Sequence, residues 1–291
     1  VVASAVDRYD TIGFDCMAMN VNDLVCVGAR PLAMVDYIGV HELDGRRIEE
    51  ILQGLGGAAK EAGVAVPGGE LAQLPDVIGS SDDPKAFDLV GTCVGTLHPD
   101  ELIAGDGITP GDLIVGLPSS GLHSNGFTLA RRIFSEAGLE FDDHVPELAT
   151  TLGEELLRPT EIYVRPILSL WNEGIQTKGL AHITGDGLLN LCRFESPVGY
   201  EIETLPELAP IFDLIKRLGG VDWAEMYRVF NMGVGFVLIV GPSQIDAVLE
   251  SLSARGHSGS VLGRVSDERG LVRIKSLGIE GDLESGFRSS T

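Results

Sequence analysis

A loop rich in small and polar residues, at positions 116–126, carries the residue types best suited to hold a phosphate. It follows an apolar strand candidate at 113–115 and precedes a segment with apolar residues at helical spacing. Such a loop brings backbone N–H groups and the positive end of a helix dipole to one point. We also expect Ser and Asn of this loop to cap the helix. The side chains offered are Ser119, Ser120, His123, Ser124 and Asn125. The alternative is a capped turn without a ligand, which needs fewer polar side chains.

Four side chains in the first third of the chain carry the oxygen ligands that suit Mg²⁺: Asp15, Asn22, Asp23 and Glu70. Asn22 and Asp23 interrupt an apolar segment, where they are costly if buried without partners. Glu70 follows Gly68 and Gly69, which leave space around its carboxylate. Mg²⁺ usually takes one or two protein carboxylates and keeps waters or phosphates as its other ligands. Taken alone, a residue of this kind is more often a solvated or capping side chain than a metal ligand.

Common catalytic motifs are absent from the sequence. It has no GxxxxGK[ST], no GxGxxG opening a helix after a strand, no HExxH and no GxSxG. A P-loop, a Rossmann nucleotide site and an α/β-hydrolase nucleophile are therefore disfavoured.

The composition is that of a globular chain without metal or disulfide staples. Hydrophobic residues make up 44% of the 291 residues, and no apolar run reaches the ~18 residues of a membrane span. The four cysteines lie far apart without a CxxC pair, so neither a zinc site nor a disulfide framework is indicated. We therefore expect a cytoplasmic protein without a membrane partner.

The net charge of −22 excludes non-specific binding to nucleic acid. Acidic residues are spread along the whole chain rather than held in one tail. A dispersed acidic surface repels itself unless salt screens it. We therefore expect a halophilic source, the alternative being an ordinary acidic protein.

Sequence periodicity and turn residues predict an alternation of helices and strands. Helices are expected at 16–28, 48–63, 156–171, 188–194, 208–218 and 243–255. Strands are expected at 31–40, 64–66, 87–97 and 113–117, and the strand at 87–97 is expected to be buried. Residues 226–240 are expected to form a loop followed by a strand. A closing pair of strands is expected at 261–265 and 271–274. Residues 67–70 are expected to form a loop.

A turn at 109–112 predicts a boundary between two domains. The N-terminal domain would comprise residues 1–108 and the C-terminal domain residues 109–276. Residues 277–291 are polar, and we expect them to be a frayed tail.

Six segments, in this order and spread over nearly the whole chain, closely resemble the phosphoribosylformylglycinamidine cyclo-ligase family, also called aminoimidazole ribonucleotide synthetases. They are DTIGFDCMAMNVNDLVCVGARPLAMVDYI, PGGE, GLPSSGLHSNGFTLAR, LLRPTEIYV, AHITGDG and MYRVFNMGVGF. The family closes the imidazole ring in purine biosynthesis, converting formylglycinamidine ribonucleotide and ATP to aminoimidazole ribonucleotide, ADP and phosphate. Their order and spacing make the resemblance more specific than any single glycine-rich loop.

The resemblance implies a two-domain α+β fold, a homodimer and three ligands. The N-terminal α+β domain would contribute strands to a barrel at the dimer interface, and the C-terminal domain would be α/β. ATP, Mg²⁺ and K⁺ are the implied cofactors, and a small nucleotide is the implied substrate.

The resemblance also assigns roles to residues. Asp23 and Glu70 would bind Mg²⁺ with the ATP phosphates or position the substrate. His123, Asn125 and Glu70 would be catalytic, His123 by contacting the substrate phosphate or by transferring a proton. The remaining ligand-binding residues would be Asp15, Asn22, Gly68, Gly69, Ser124, Gly126, Thr184, Gly185 and Gly187.

The chain departs from the family pattern at several places. Asp186 replaces the middle glycine of the family's TGGG loop, Leu71 replaces a threonine, and the pair at 41–42 is His-Glu rather than Gly-Lys. The family's DGVGTK segment, which helps bind ATP, would lie upstream of Val1. We therefore expect residues 1–291 alone to fold and dimerise but to catalyse poorly.

Two other classes of function remain open. One is another ATP-dependent phosphoryl-transfer enzyme, such as selenophosphate synthetase, thiamin-monophosphate kinase or a hydrogenase-maturation protein. The other is a non-catalytic dimeric binding protein. The HSNG and MYRVFNMGVG segments favour the cyclo-ligase over the other phosphoryl-transfer enzymes, and turnover of formylglycinamidine ribonucleotide would separate it from the binding protein.

Overall fold

A computed structural model describes residues 1–80 and 83–290. Its first part contains a three-stranded sheet in the order β2-β1-β3, in which β1 is parallel to β2 and antiparallel to β3. The elements are α1 (Val2–Val6), α2 (Ile12–Cys26), β1 (Arg30–Val40), α3 (Gly45–Ala62), β2 (Ala65–Gln73) and β3 (Phe87–Thr96). A short 3₁₀ helix, Pro99–Glu101, follows.

The remaining chain is built on an eight-stranded, mostly antiparallel sheet in the order β13-β12-β11-β8-β10-β4-β9-β7. Its helices are α4 (Phe127–Glu136), α5 (Leu152–Leu156), α6 (Val164–Asn172), α7 (Pro210–Gly219), α8 (Trp223–Val229) and α9 (Ile245–Ser253). Its strands are β4 (Leu113–Pro118), β7 (Gly179–His182), β8 (Gly199–Ile202), β9 (Val234–Val240), β10 (Ser260–Ser266), β11 (Val272–Ile274), β12 (Ile279–Asp282) and β13 (Gly286–Ser289), and the small ribbon is β5 (His144–Val145) with β6 (Thr150–Thr151).

Helix α2 joins the two parts of the molecule. It packs against β1, β3 and α3 on one side and against β7 and α6 on the other. The buried apolar residues of both parts form one continuous core. No helix among the described residues is long and apolar enough to cross a membrane.

Several predicted elements differ in the structure. Residues 67–70 continue β2 instead of forming a loop. Strand β3 alternates between partly buried and exposed residues because only one of its faces packs on α2, so its prediction as a buried strand was wrong. The helix predicted at 156–171 forms only from Val164, because α5 ends at Leu156 and the residues between α5 and α6 interrupt the helix. Pro159 lies in this interruption, where the segment bonds to α2 instead of to itself.

The C-terminal part also differs from prediction. Residues 223–229 are helical, because Asp222 caps the helix by accepting a hydrogen bond from the Glu225 N–H. The segment Gly187–Arg193 is a 3₁₀ helix rather than an α-helix. Strands β10 and β11 do not pair with each other, since β8 lies between them. The predicted frayed tail is a hairpin of β12 and β13 at the sheet edge.

Helices α2 and α3 cross closely because both carry a glycine at the crossing. A Cβ at Gly54 would lie 2.2 Å from the Asp10 carbonyl oxygen, and one at Gly13 would lie 2.2 Å from the Leu55 nitrogen. Gly56, two residues further along α3, faces open space. The crossing distance therefore depends on glycine at positions 13 and 54.

We expect Gly54→Ala to lower the free energy of unfolding by about 1–3 kcal/mol, because the methyl group must push α3 away from backbone atoms. The matched change Gly56→Ala should raise it by about 1 kcal/mol, because alanine favours an exposed helix. Urea unfolding of both variants checks this pair. Equal shifts in the two variants would contradict the close crossing.

Candidate active site

Asp15 lies on the face of α2 that meets the segment between α5 and α6, residues 157–163. Its Oδ1 accepts hydrogen bonds from the Thr160 N–H at 2.9 Å and from the Thr160 hydroxyl at 2.6 Å. Thr160 Oγ1 is in turn 3.0 Å from the Ser124 hydroxyl. Burial raises the pKa of Asp15, although the bonds from Thr160 and Ser124 oppose that rise. Asp15 thus connects α2 to the HSNG loop through Thr160.

Asn22 lies seven residues after Asp15, and therefore on the same face of α2. It is fully buried. Its Oδ1 accepts from the Tyr163 N–H at 2.9 Å, and its Nδ2 donates to the Glu161 carbonyl at 2.9 Å. Its polar atoms thus bond to protein, which gives Asn22 a bracing role beside the predicted ligand-binding one.

His123 is buried, and its backbone lies in the left-handed region at φ 56°. Its Nε2 accepts a hydrogen bond from the Ser120 N–H at 3.1 Å. The proton of the neutral ring therefore lies on Nδ1, which is buried and has no partner among the described residues. Burial lowers the pKa of His123 to about 3. The ring is a neutral hydrogen-bond donor at physiological pH.

The loop before His123 is braced by Asn231, which the sequence analysis did not assign. Asn231 Oδ1 accepts from the Ser119 hydroxyl at 2.8 Å, and its Nδ2 donates to the Gly121 and Leu122 carbonyls at 2.9 and 3.1 Å. The residue is buried. The only signal in the sequence was its place in the MYRVFNMGVGF segment, since a buried amide has no pattern of its own.

Helix α4 begins at Phe127, and its N-cap residue, Gly126, has φ 80° and makes no side-chain capping bond. The predicted capping by Ser or Asn was therefore wrong. A Cβ at Gly126 would lie 2.3 Å from the Phe230 ring, so only glycine fits there. Among the described residues, no side chain accepts from the first N–H groups of α4.

The second glycine-rich loop, residues 183–187, is held by Asn190. Asn190 accepts from the Thr184 N–H and donates to the Gly185 carbonyl, both at 2.9 Å. Gly187 has φ 56°, and a Cβ there would lie 2.1 Å from the Tyr227 carbonyl oxygen. Asp186 points to Arg193, whose Nη2 lies 3.2 Å from its carboxylate. This ion pair offsets the negative charge that Asp186 adds to the loop.

Asp23 lies near the end of α2, with its side chain 66% exposed. Its Oδ1 is 3.0 Å from Nδ1 of His182, a buried residue at the end of β7 that the sequence analysis also missed. Both residues line a cavity of about 350 Å³ together with Thr184 and Asn190. An open cavity of about 560 Å³ is lined by Asp15, His123 and Ser124. Helix α2 lines both cavities.

The structure brings most predicted site residues together around α2. Asn125 approaches the second loop, because a Cβ at Gly185 would lie 3.8 Å from Asn125 Oδ1. Glu70, with Gly68 and Gly69, lies instead on β2, the outer strand of the small sheet. Glu70 is exposed and lines neither cavity, and its carboxylate makes no hydrogen bond or ion pair among the residues described.

The described part of the chain contains no group of three or more His, Cys, Asp or Glu side chains placed to hold a metal ion. Asp23 offers a single exposed carboxylate with one oxygen anchored and the other unbonded within the described chain. That arrangement suits Mg²⁺ held mainly by phosphates and waters, and it does not suit an all-protein cage. Glu70 does not line the cavity that contains Asp23.

The fold and both family models define the class of protein. Residues 1–97 match the model "AIR synthase related protein, N-terminal domain", and residues 109–275 match "AIR synthase related protein, C-terminal domain". The fold is shared with the hydrogenase maturation protein HypE of E. coli (TM-score 0.65, 18% identity, 96% of this chain and 79% of that one). It is shared also with thiamine-monophosphate kinase of Stenotrophomonas maltophilia (TM-score 0.69, 22% identity, 92% and 79%).

Curated relatives specify the family. Phosphoribosylformylglycinamidine cyclo-ligase of Methanobrevibacter smithii is 46% identical over 92% of this chain and 77% of its own length. The Pyrococcus horikoshii protein of the same name is 46% identical over 96% and 79%. This chain belongs to the phosphoribosylformylglycinamidine cyclo-ligase family, as the six segments predicted. The predicted α+β fold is confirmed.

We expect acid to destabilise the protein partly through His123. Its pKa is about 3 when folded and about 6.5 when unfolded, so the unfolded chain binds the extra proton between these values. The neutral state of His123 contributes fully to the free energy of unfolding above pH 6.5. Below that pH, this contribution declines by up to about 1.4 kcal/mol per pH unit. The raised pKa of Asp15 acts in the opposite direction, but in the same way with and without His123.

The measurement is the free energy of unfolding between pH 4.5 and 7 for wild type and His123→Asn. Asparagine tolerates a positive φ and does not titrate there. The free energy of unfolding of His123→Asn should change less with pH than that of wild type, by up to about 1.4 kcal/mol per pH unit. His98→Asn, at an exposed position, controls for loss of a histidine. Parallel slopes for wild type and His123→Asn would show that His123 is not held neutral.

Proposed function

We propose that this protein is an ATP-dependent ligase of de novo purine biosynthesis that acts in the cytoplasm. It forms a C–N bond by closing formylglycinamidine ribonucleotide to aminoimidazole ribonucleotide, with release of ADP and phosphate. The observation that carries this proposal is 42–46% identity to proteins named cyclo-ligases, over 92–96% of the chain. The site adds support, because the 116–126 and 183–187 loops of two family segments both lie beside α2.

The chemistry explains why ATP is needed. An amide oxygen is a poor leaving group, and transfer of a phosphoryl group converts it into a good one. The amine that becomes a ring nitrogen can then attack the activated carbon, and phosphate leaves. Such transfer depends on positioning and on charge neutralisation more than on covalent work by the protein. Among proteins of this fold, a HypE was crystallised with ATP and AaThiL with AMPPCP and TMP.

His123 acts in this proposal as a hydrogen-bond donor to a substrate oxygen. The sequence left open whether it contacts the substrate or transfers a proton. Burial keeps the ring neutral, and the Ser120 N–H occupies Nε2, so Nδ1–H is what remains to donate. A neutral imidazole can polarise an oxygen without giving up its proton. Ser124, Asn125 and the free N–H groups of α4 would bind an anionic group nearby.

Asp23 would hold Mg²⁺, which when bound neutralises charge on the ATP phosphates. Its exposed carboxylate in the 350 Å³ cavity is the supporting observation. Glu70 and K⁺ rest on the family resemblance alone.

We expect Asp23→Asn to lower ATP-dependent turnover by about 10²-fold or more, because a preorganised charge is lost at the phosphates. Stability should change little, since the side chain is largely exposed. Phosphate release from the full-length protein and thermal melting measure the two effects. Asp142→Asn, an exposed acid outside the site, is the matched control. Turnover that survives Asp23→Asn would remove the metal from this position, and unchanged turnover in Glu70→Gln would remove Glu70 from the site.

We propose that the outer face of the three-stranded sheet forms a homodimer. Val35 pairs with Thr92, Tyr37 with Val90 and Ala33 with Val94, so their side chains share one face. Val35, Val90 and Val94 are about half exposed in the single chain. An apolar sheet face of this kind needs a cover, and a second copy completes the barrel that the family resemblance implies.

Val94→Glu should convert the dimer into a monomer, because it places a charge in the apolar face. Light scattering coupled to size exclusion gives the mass. Val77→Glu provides the control, since Val77 is 73% exposed and lies outside the sheet. A wild-type protein that runs as a monomer, or a dimer indifferent to Val94→Glu, would exclude this interface.

A further inference from the structure

His182 is a buried side chain to which the site described above gives no role of its own. It sits at the end of β7, with only 2% of the side chain exposed, and both ring nitrogens have a partner from α2. Nδ1 lies 3.0 Å from Asp23 Oδ1. Nε2 lies 3.4 Å from Asn22 Nδ2. One imidazole therefore connects two adjacent residues of the helix.

The backbone fixes which ring nitrogen carries the proton. The Tyr163 N–H can only donate, so the Asn22 atom that faces it is the amide oxygen. The Asn22 NH₂ group then faces the Glu161 carbonyl and His182 Nε2. Nε2 must accept, and Nδ1–H donates to the Asp23 carboxylate. The direction of each hydrogen bond from Asn22 through His182 to Asp23 therefore follows from the Tyr163 N–H.

The result is a carboxylate with one fixed and one available oxygen. An exposed aspartate on a helix would otherwise sample several rotamers. We infer that His182 is a positioning residue that directs the Asp23 carboxylate into the cavity, toward the divalent cation of the proposed function, on which this inference rests. Partners that orient a metal-binding side chain commonly change metal affinity by about 10–100-fold when they are removed.

A purely structural role for His182 makes a different prediction. Its bonds could serve only to join α2 to β7, as the Asn22–Tyr163 bond joins α2 to the 160–163 segment. Two substitutions separate these roles. In His182→Asn, the amide nitrogen can occupy the place of Nδ1 and still donate to Asp23. In His182→Gln, the amide group reaches the place of Nε2 and contacts Asn22, while the donor to Asp23 is lost.

The experiment measures binding of Mn²⁺, a spectroscopic substitute for Mg²⁺, by electron paramagnetic resonance with ATP present. Wild type and His182→Asn should bind within about threefold of each other, and His182→Gln about 10–100-fold more weakly. Melting temperatures are recorded for all variants. In an Asp23→Asn background, adding His182→Gln should cause no further loss of Mn²⁺ affinity, because His182 acts through Asp23.

The outcomes are distinct. Equal Mn²⁺ affinity in His182→Gln and wild type overturns the positioning role and leaves the proposed function intact. Affinity losses that follow the melting temperatures in both variants show a structural role and also overturn it. Mn²⁺ affinity that is unchanged in Asp23→Asn overturns the metal assignment, and the role of His182 toward the metal with it.

Discussion

The burial of polar side chains on α2 is the constraint on which the site depends. A buried amide or carboxylate costs about 1–3 kcal/mol for each unpaired hydrogen-bonding group. Asp15 and Asn22 meet this requirement by bonding to Thr160, Glu161 and Tyr163. These bonds hold the segment between α5 and α6 in an extended course across α2. The same helix thereby connects the small sheet to the large one.

Buried asparagines brace the loops of the site in a common way. Asn22, Asn190 and Asn231 each use the carbonyl oxygen to accept a backbone N–H and the NH₂ group to donate to a backbone carbonyl. An amide has both functions on one short, rigid group, so it fixes two points of a loop at once. Loops held in this way present their free N–H groups in a set geometry, which is the main requirement for stabilising a transferring phosphoryl group.

The charge of the whole chain does not describe the electrostatic environment of the site. The chain carries a net charge of −22, which by itself would repel ATP and a nucleotide substrate. At the site, however, Arg193 pairs with Asp186 and so compensates one negative charge. The N-terminus of α4 adds positive potential without a side-chain cap. The local field therefore differs from the one that overall composition suggests.

The sequence by itself determined the family, the helices with strong periodicity and two of the three glycine-rich loops, because these follow from local residue order. It did not determine that 67–70 continue a strand or that 279–289 complete a sheet, because pairing partners lie far away in the chain. His182 and Asn231 were missed for the same reason. Their partners are 159 and 110 residues distant, respectively, at Asp23 and Gly121. Only tertiary structure decided these roles, since a polar side chain is assigned by the donor or acceptor that burial places beside it.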